Sequence, residues 1–312
     1  MDNRGRGTGK KRRRKKRQYI EYDYEALYNQ SIENLDEYFV EKMLEEGKSK
    51  CEYATKEIRA GQQLEIEIYP EFSKQQAQEL PDRVKEKQRK AQRNLNDKNS
   101  RKEFIRTAEH NFNNGDYWIT LTYEDEYLPA SMEVALKNMQ KYIRNINGKR
   151  KRRGLENAKY MYVTEWIEDG GEPVRCHHHL IMDSGLDMDT VESTWKHGRR
   201  NECRRISKDD NGIAGMTNYM MKEPKGRKRW CASTNLQKPP VKKHHQTKKK
   251  TVHAMVKNHD YIQQYLENNP RYQGYTFTDS KVYYNDFNAR FYIYARMRRT
   301  VEPAETGGKK KE

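Results

Sequence analysis

Three consecutive histidines, His177-His178-His179, sit inside the apolar run Val174 to Met182 (VRCHHHLIM). Such a run reads as a β-strand, and side chains on a strand alternate between faces. His177 and His179 then point one way, with Arg175 and Ile181. Cys176, His178, Leu180 and Met182 point the other way. Two imidazoles on one face can share a cation; the plainer alternative is a surface histidine cluster. An oxygen ligand is available upstream in Lys159 to Ile167 (KYMYVTEWI), across Gly170-Gly171. If the two runs pair as an antiparallel hairpin, Glu165, on the side of Met161 and Val163, reaches the same cation. Otherwise it is an edge-strand carboxylate in solvent. Two imidazoles, one carboxylate and open positions suit Mg²⁺ or Mn²⁺ holding a phosphate.

A second group lies in Gly212 to Glu223, which reads as a helix stopped by Pro224. Ile213, Met216 and Met220 share one face. Gly215, Asn218, Tyr219 and Lys222 fall on the other, with Tyr219 and Lys222 three residues apart and so neighbours. The chain has 22 tyrosines, so Tyr219 beside a lysine says little alone. Combined with the histidines it says more. A cation can polarise a phosphodiester oxygen, and a tyrosine hydroxyl can attack phosphorus and become covalently attached. Lys222 would then stabilise the developing charge. The expected products are a 5′-phosphotyrosine and a free 3′-hydroxyl.

Positioning these groups falls to a succession of strand Tyr117 to Tyr123 (YWITLTY), amphipathic helix 131–146, strands 159–167 and 174–182, helix 188–196, strand 201–206 and helix 212–223. That order predicts an α+β domain with a central, mainly antiparallel sheet and flanking helices. Lys149 to Arg153, between Gly148 and Gly154, reads as a basic connector. Upstream, 19–47 reads as an acidic helical stretch and 53–69 as a hairpin about Ala60-Gly61, ended by Pro70. Residues 81–110 read as a charged helix. The expected division is a disordered basic tail (1–18), a helical and hairpin N-terminal extension (19–112), a catalytic nuclease domain (113–240), a basic linker with a small aromatic-rich C-terminal subdomain (241–300), and a disordered tail (301–312). The C-terminal aromatics fit either a β-rich core or stacking platforms for unpaired bases, with core the favoured reading.

Charge indicates the partner. The 312 residues carry a net charge of +17. Residues 1–17 hold ten bases and one acid, a density that suits a counterion-releasing arm for nucleic acid or, more plainly, a solubilising tail. Lys225, Arg227, Lys228 and Arg229 follow Lys222, and Lys242, Lys243, Lys248, Lys249 and Lys250 form another cluster. Both clusters favour a polyanion partner, and Arg175, Lys225, Arg227, Lys228 and Arg229 are the candidate DNA contacts. No apolar run approaches the ~20 residues that span a bilayer. The opening MDNRGRGTGKKRRRKKR has no apolar segment behind it, and the four cysteines (Cys51, Cys176, Cys203, Cys231) lack CxxC spacing. A reducing cytoplasm is the expected location. No GxxxxGK[ST] occurs, so no P-loop and no helicase of the chain's own is expected.

The ordered set WITLTY, then E…RCHHHLIM, then GMTNYMMKE resembles the three motifs of the HUH endonucleases, the rolling-circle replication initiators and related relaxases. The similarity is greatest to the replication-associated proteins of filamentous and micro-type phages and small mobile elements. It covers about residues 115–240, including KRWCASTNLQKPP with Ser233, Asn235, Leu236 and Pro239. The resemblance implies metal ligation by His177 and His179, nicking by Tyr219 and a supporting role for Lys222. Glu165 matches the acidic ligand by strand position. It further implies nicking and rejoining of single-stranded origin DNA in the cytoplasm of a bacterial host, with unwinding and synthesis by a host helicase and polymerase. Some initiators carry two tyrosines; here 215 is Gly, 218 is Asn and 223 is Glu. One tyrosine would need a second protomer, as in a homodimer, or another nucleophile to finish a round. The rival expectations are a relaxase or transposase with the same chemistry, a non-catalytic nucleic-acid-binding protein with structural histidines, and a zinc-stabilised module using Cys176 and Cys203.

Overall fold

The computed structural model describes residues 29–31, 37–46, 52–71, 99–167, 174–209, 211–221, 230–285 and 290–300. Among the described residues eleven strands form two antiparallel sheets. Those of the site are β4 (Tyr117–Thr122), β5 (Tyr160–Ile167), β6 (Val174–Met182), β7 (Glu202–Arg205) and β8 (Cys231–Ala232), in the order β7-β4-β6-β5-β8. The other sheet holds β1 (Asn29–Ser31), β2 (Glu52–Ala60), β3 (Gln63–Glu71), β9 (Val241–Thr247), β10 (Tyr275–Asn285) and β11 (Arg290–Arg299), ordered β1-β10-β11-β3-β2-β9. The chain is α+β, as the element order predicts.

Each face of the five-stranded sheet has its own core. On one face lies α3 (Met132–Arg152), whose Ala135, Met139, Tyr142, Ile143 and Ile146 recur at helical spacing and bury against Tyr117, Ile119, Leu121 and Leu180. Ser131 caps this helix, its side chain accepting from the Val134 N–H. Helix α4 (Met188–Thr194) joins the same layer through Val191, and Tyr142 donates its hydroxyl to the Val191 carbonyl at 3.1 Å. The opposite face is covered by the helical residues 99–111 (α2) and by α5 (Ala214–Met220). There Phe104, Ala108, Phe112, Ile213 and Met220 pack on Met161, Val163 and Ile181.

The basic connector expected at 149–153 is the end of α3 itself. Gly148 is a tolerable interior residue at a cost of about 1 kcal/mol, and cations favour the negative end of the helix dipole. Arg150, 5% exposed, lies in the packing and makes a two-pronged ion pair to Asp183 (3.1 and 2.8 Å). The helix stops before Gly154, whose φ is +70°.

The six-stranded sheet changes the domain picture most. The N-terminal extension and the C-terminal subdomain read from sequence as separate pieces. The structure pairs β3 with β11 and β1 with β10, so both segments build one sheet. The stretch expected to be a basic linker is edge strand β9 followed by α6 (Lys249–Lys257) and α7 (Asp260–Glu267). Only α1 (Glu37–Glu46) of the helix expected over 19–47 is described as helical, and Asn29–Ser31 is a strand because β10 offers it a partner edge. Pro70 does not end its strand. Pairing of β3 with β11 stops at Ile68, so beyond it the missing N–H can lie on an open side. Four of the C-terminal aromatics fill the core: Tyr272, Tyr275, Tyr284 and Phe291 are buried with Leu64, Ile66, Val252 and Ile262.

Helix α2 joins the sheets. Phe104, Ala108 and Phe112 face the site's sheet. From another side of the helix, Arg106 donates to Glu65 (3.0 and 2.6 Å) and Glu67 (2.7 Å) of β3. The tails at 1–18 and 301–312, the turn at 168–173 and Cys51 lie outside the described residues.

Candidate metal centre and nucleophile

Strands β5 and β6 pair in the register that the hairpin requires, with Glu165 opposite His177 and Val163 opposite His179. Strand β4 flanks β6 on its other side, setting Thr120 opposite His179. The Nε2 atoms of His177 and His179 lie 3.1 Å apart. Glu165 Oε2 is 3.2 Å from the first and 3.7 Å from the second. One donor atom from each of the three residues lies within 4.8 Å of the others, and this is the group of that kind found among the described residues.

The outward nitrogens are set by what holds the inward ones. His177 Nδ1 lies 2.9 Å from the Arg175 carbonyl, which can only accept, so Nδ1 carries a proton, and Nε2, which faces Glu165 at 3.2 Å, would offer a lone pair to a cation on giving up its own proton. His179 Nδ1 is 3.3 Å from the Thr120 hydroxyl. Hydrogen bonds from His177 and then His179 hold the Glu165 carboxyl well below the usual carboxylate range, against the upward pull of burial. For His177, burial works to lower the pKa, but the Glu165 hydrogen bond and the Arg175 carbonyl outweigh it and the net shift is upward. The donor set fits a hard divalent ion. Bonds of about 2.1 Å in an octahedron place neighbouring ligands about 3 Å apart, close to the His177–His179 and His177–Glu165 spacings.

His178, the middle residue, faces away. It is fully buried, with Nε2 2.9 Å from the Tyr123 hydroxyl and Nδ1 2.8 Å from the Thr164 hydroxyl. Burial, and then the neighbouring imidazoles His177 and His179, push its pKa down to about 3. It is a neutral structural residue at any ordinary pH.

Helix α5 brings the phenol to the imidazoles. Thr217 and Met220 are buried, while Gly215, Asn218 and Tyr219 face outward, the division that the 100° rotation per residue predicts. Tyr219 is 49% exposed and its ring stands edge-on to His179 with centroids 5.5 Å apart. Four candidates therefore meet: Glu165, His177, His179 and Tyr219. Arg175 lies beside them but is engaged, donating to Asp125 (2.6 Å) and to the Tyr123 carbonyl (3.2 and 2.7 Å). Lys222, Lys225, Arg227, Lys228 and Arg229 lie outside the described residues. Cys176 and Cys203 are buried in the core of the α3 face.

The sequence reading missed what holds the helix of Tyr219. Helix α2 grips both ends of α5. Glu109 Oε2 accepts from the Ile213 N–H at 2.9 Å, and Arg101 donates to the Met221 carbonyl at 2.8 Å. An acid thus sits at the positive end of α5 and a base at its negative end. Glu109 is 3% exposed and also takes the Lys208 ammonium at 2.9 Å. Burial leads in raising its pKa, against the pull of Lys208. Gly212 (φ +68°) and Gly61 (φ +56°) both press on Glu109, where a Cβ would strike its carboxylate and its backbone carbonyl respectively. The Ser233 hydroxyl accepts from the Tyr160 N–H at 3.0 Å and the Asn235 amide donates to the Asn157 carbonyl at 3.0 Å, fixing the start of β5.

No curated protein and no solved structure gives a significant match to the chain. Residues 116–224, about a third of the chain and the part that carries Glu165, His177, His179 and Tyr219, match the family model of the replication-associated proteins of the ORF2 and gene-2-protein type, and the match supports a role in replication initiation.

Proposed function

We propose that the protein nicks and rejoins single-stranded DNA at a replication origin, with Tyr219 as nucleophile and a divalent ion, Mg²⁺ or Mn²⁺, held by His177, His179 and Glu165. One observation carries the reading: three convergent ligand atoms and an exposed phenol share one face of one sheet, with the phenol ring 5.5 Å from a ligand imidazole. The family match of the same segment supports it.

The residues divide the work as follows. Arg175 and Thr120 hold the two imidazoles so that their Nε2 atoms face one point. When bound there, the ion supplies positive charge against the phosphate oxygens. The Tyr219 hydroxyl gives its proton to solvent and its oxygen bonds to phosphorus. The bond from phosphorus to O3′ breaks, and O3′ leaves with the electron pair and takes up a proton. A free 3′-hydroxyl and a 5′-phosphotyrosine result. Lys222, two residues beyond the last residue of α5, neutralises charge on the phosphate. Rejoining reverses these steps. With one tyrosine, a full replication round uses a second protomer. Unwinding and synthesis come from a host helicase and polymerase.

The test is a 5′- and 3′-labelled origin oligonucleotide incubated with the protein and Mn²⁺, resolved under denaturing conditions. The wild type should give a covalent adduct on the strand 3′ to the nick. Tyr219→Phe should give none, and an undiminished adduct in that variant overturns the assignment.

A further inference from the structure

Helix α3 carries a charge pattern that the metal centre does not explain. Its 21 residues hold seven bases and one acid, Glu133. At 100° per residue, Lys137, Lys141, Arg144, Lys149 and Arg152 fall along one flank, beside the buried face rather than on it. The stripe is about 22 Å long, at ~1.5 Å per residue. Near its C-terminal end the helix, with Thr194 and Lys196, borders an open surface cavity of about 240 Å³, lined by Arg144, Lys149, Arg152 and Lys196 together with Asn145 and Thr194. Four cations line it and no carboxylate does. None of these four, nor Lys137 or Lys141, forms an ion pair with another described residue.

Two ordinary explanations fall short. Cations at a helix C-terminus favour the dipole, but that effect fades within the last turn. It accounts for Lys149 and Arg152, not for Lys137, Lys141, Arg144 or Lys196. A solvated charged face would intersperse acids with bases, and past Glu133 this helix has no acid. Repulsion among uncompensated cations is tolerated where a polyanion offsets it.

We propose that this flank is a second DNA-binding site, taking the phosphate backbone of duplex DNA on the side of the five-stranded sheet opposite the nicking site. Its position follows from the two cores: α3 packs on the Ile119 and Leu180 face, whereas the phenol helix packs on the Ile181 face. Its preference for duplex follows from what it lacks. Sites for unpaired strands add aromatic platforms for stacking bases, and no aromatic ring lines the cavity. Duplex DNA offers one phosphate charge per ~1.7 Å of axis and needs only cations to bind. The site extends the reading of the protein as one that acts on DNA, and it would hold the duplex flanking an origin while the unpaired strand is cut on the other face.

The test uses the full chain and needs no cleavage. A fluorescent blunt DNA duplex is titrated by anisotropy over a range of NaCl, against wild type and against Arg144→Gln/Lys149→Gln/Arg152→Gln/Lys196→Gln. The variant should bind the duplex roughly tenfold or more weakly, and the slope of log K against log salt should fall by about 3 to 4, at ~0.9 per lost phosphate contact. Cleavage of a single-stranded origin oligonucleotide should be unchanged. Wild-type affinity and slope in the variant overturn the site. So does a loss of single-strand cleavage equal to the loss of duplex binding, or lost binding to phosphatidylserine vesicles with duplex binding intact. Arg144→Gln/Arg152→Gln, both exposed, keeps the test valid if the fourfold variant folds poorly, with a slope change of about half that size. If wild type binds the duplex through this flank but no oligonucleotide is cut, the nicking assignment fails while this site stands.

Discussion

Carboxylates lie inside both sheets, and they are held differently. In the six-stranded sheet, Glu65 and Glu67 meet Arg106, with Lys56 and Lys102 alongside. Arg106 is raised further above its already high pKa: burial alone would lower it, but the hydrogen bond to Glu65 and the charges of both carboxylates outweigh that. The guanidinium does not give up its charge, so these carboxylates stay committed to it. In the five-stranded sheet, Glu165 meets the imidazoles of His177 and His179, whose neutral form offers a lone pair. A carboxylate and two imidazoles can take a divalent ion between them. A carboxylate locked to an arginine cannot. The difference separates a strut from a site more sharply than burial does.

The comparison breaks most readily at the histidines. His177→Ala with His179→Ala should lower Mn²⁺-dependent cleavage on the order of 10³-fold, the scale of removing a preorganised electrostatic stabiliser. Salt-sensitive DNA binding should persist in the same variant, as filter binding can show. Arg106→Met should do the reverse. It leaves Glu65 and Glu67 without their main counter-charge, which for a pair this buried costs about 3–5 kcal/mol, read from urea unfolding. Mn²⁺ affinity measured by calorimetry on the folded variant should match wild type.

Smaller effects sharpen the picture. Glu109→Ala strips the Ile213 N–H and the buried Lys208 ammonium of their partner, so unfolding free energy should fall by about 1–3 kcal/mol. Adduct formation should also slow, because Tyr219 loses one anchor of its helix, whereas Mn²⁺ affinity should hold. Thr120→Val should weaken Mn²⁺ binding by about tenfold through the orientation of His179. Protonation of His178 gives a pH effect of defined sign. Its native pKa of about 3 lies below the ordinary 6.5. The unfolded chain therefore binds the proton first, and the residue's contribution to stability is lost as pH falls from about 6.5 toward about 3. His178→Gln should flatten the urea-midpoint profile in that window.

Much of the site was legible because its rules are local. Strand alternation separates His177 and His179 from His178 within three residues, and helix rotation of about 100° per residue turns Tyr219 outward beside the buried Met220. Glu165 needed one further step, the pairing of neighbouring strands. The rest depends on contacts far apart in sequence. Glu109 and Arg101 sit in a run of mixed charge that looks like any solvated helix, and nothing nearby reveals that they cap α5 about a hundred residues away. The joining of β3 to β11 spans more than two hundred residues and leaves no periodic trace. The extension of α3 through Gly148 was hidden because glycine beside a basic run looks like a loop, whereas the ion pair of Arg150 with Asp183 keeps the helix going.

The central claim is that one phenol, beside one imidazole–carboxylate group, becomes covalently joined to DNA. The most direct measurement is peptide mass spectrometry of the protein after reaction with an origin oligonucleotide and Mn²⁺, followed by nuclease trimming. The account predicts a nucleotide remnant on the phenolic oxygen of Tyr219, absent when the ion is chelated before mixing. A remnant on another residue, or one formed equally well under chelation, contradicts it.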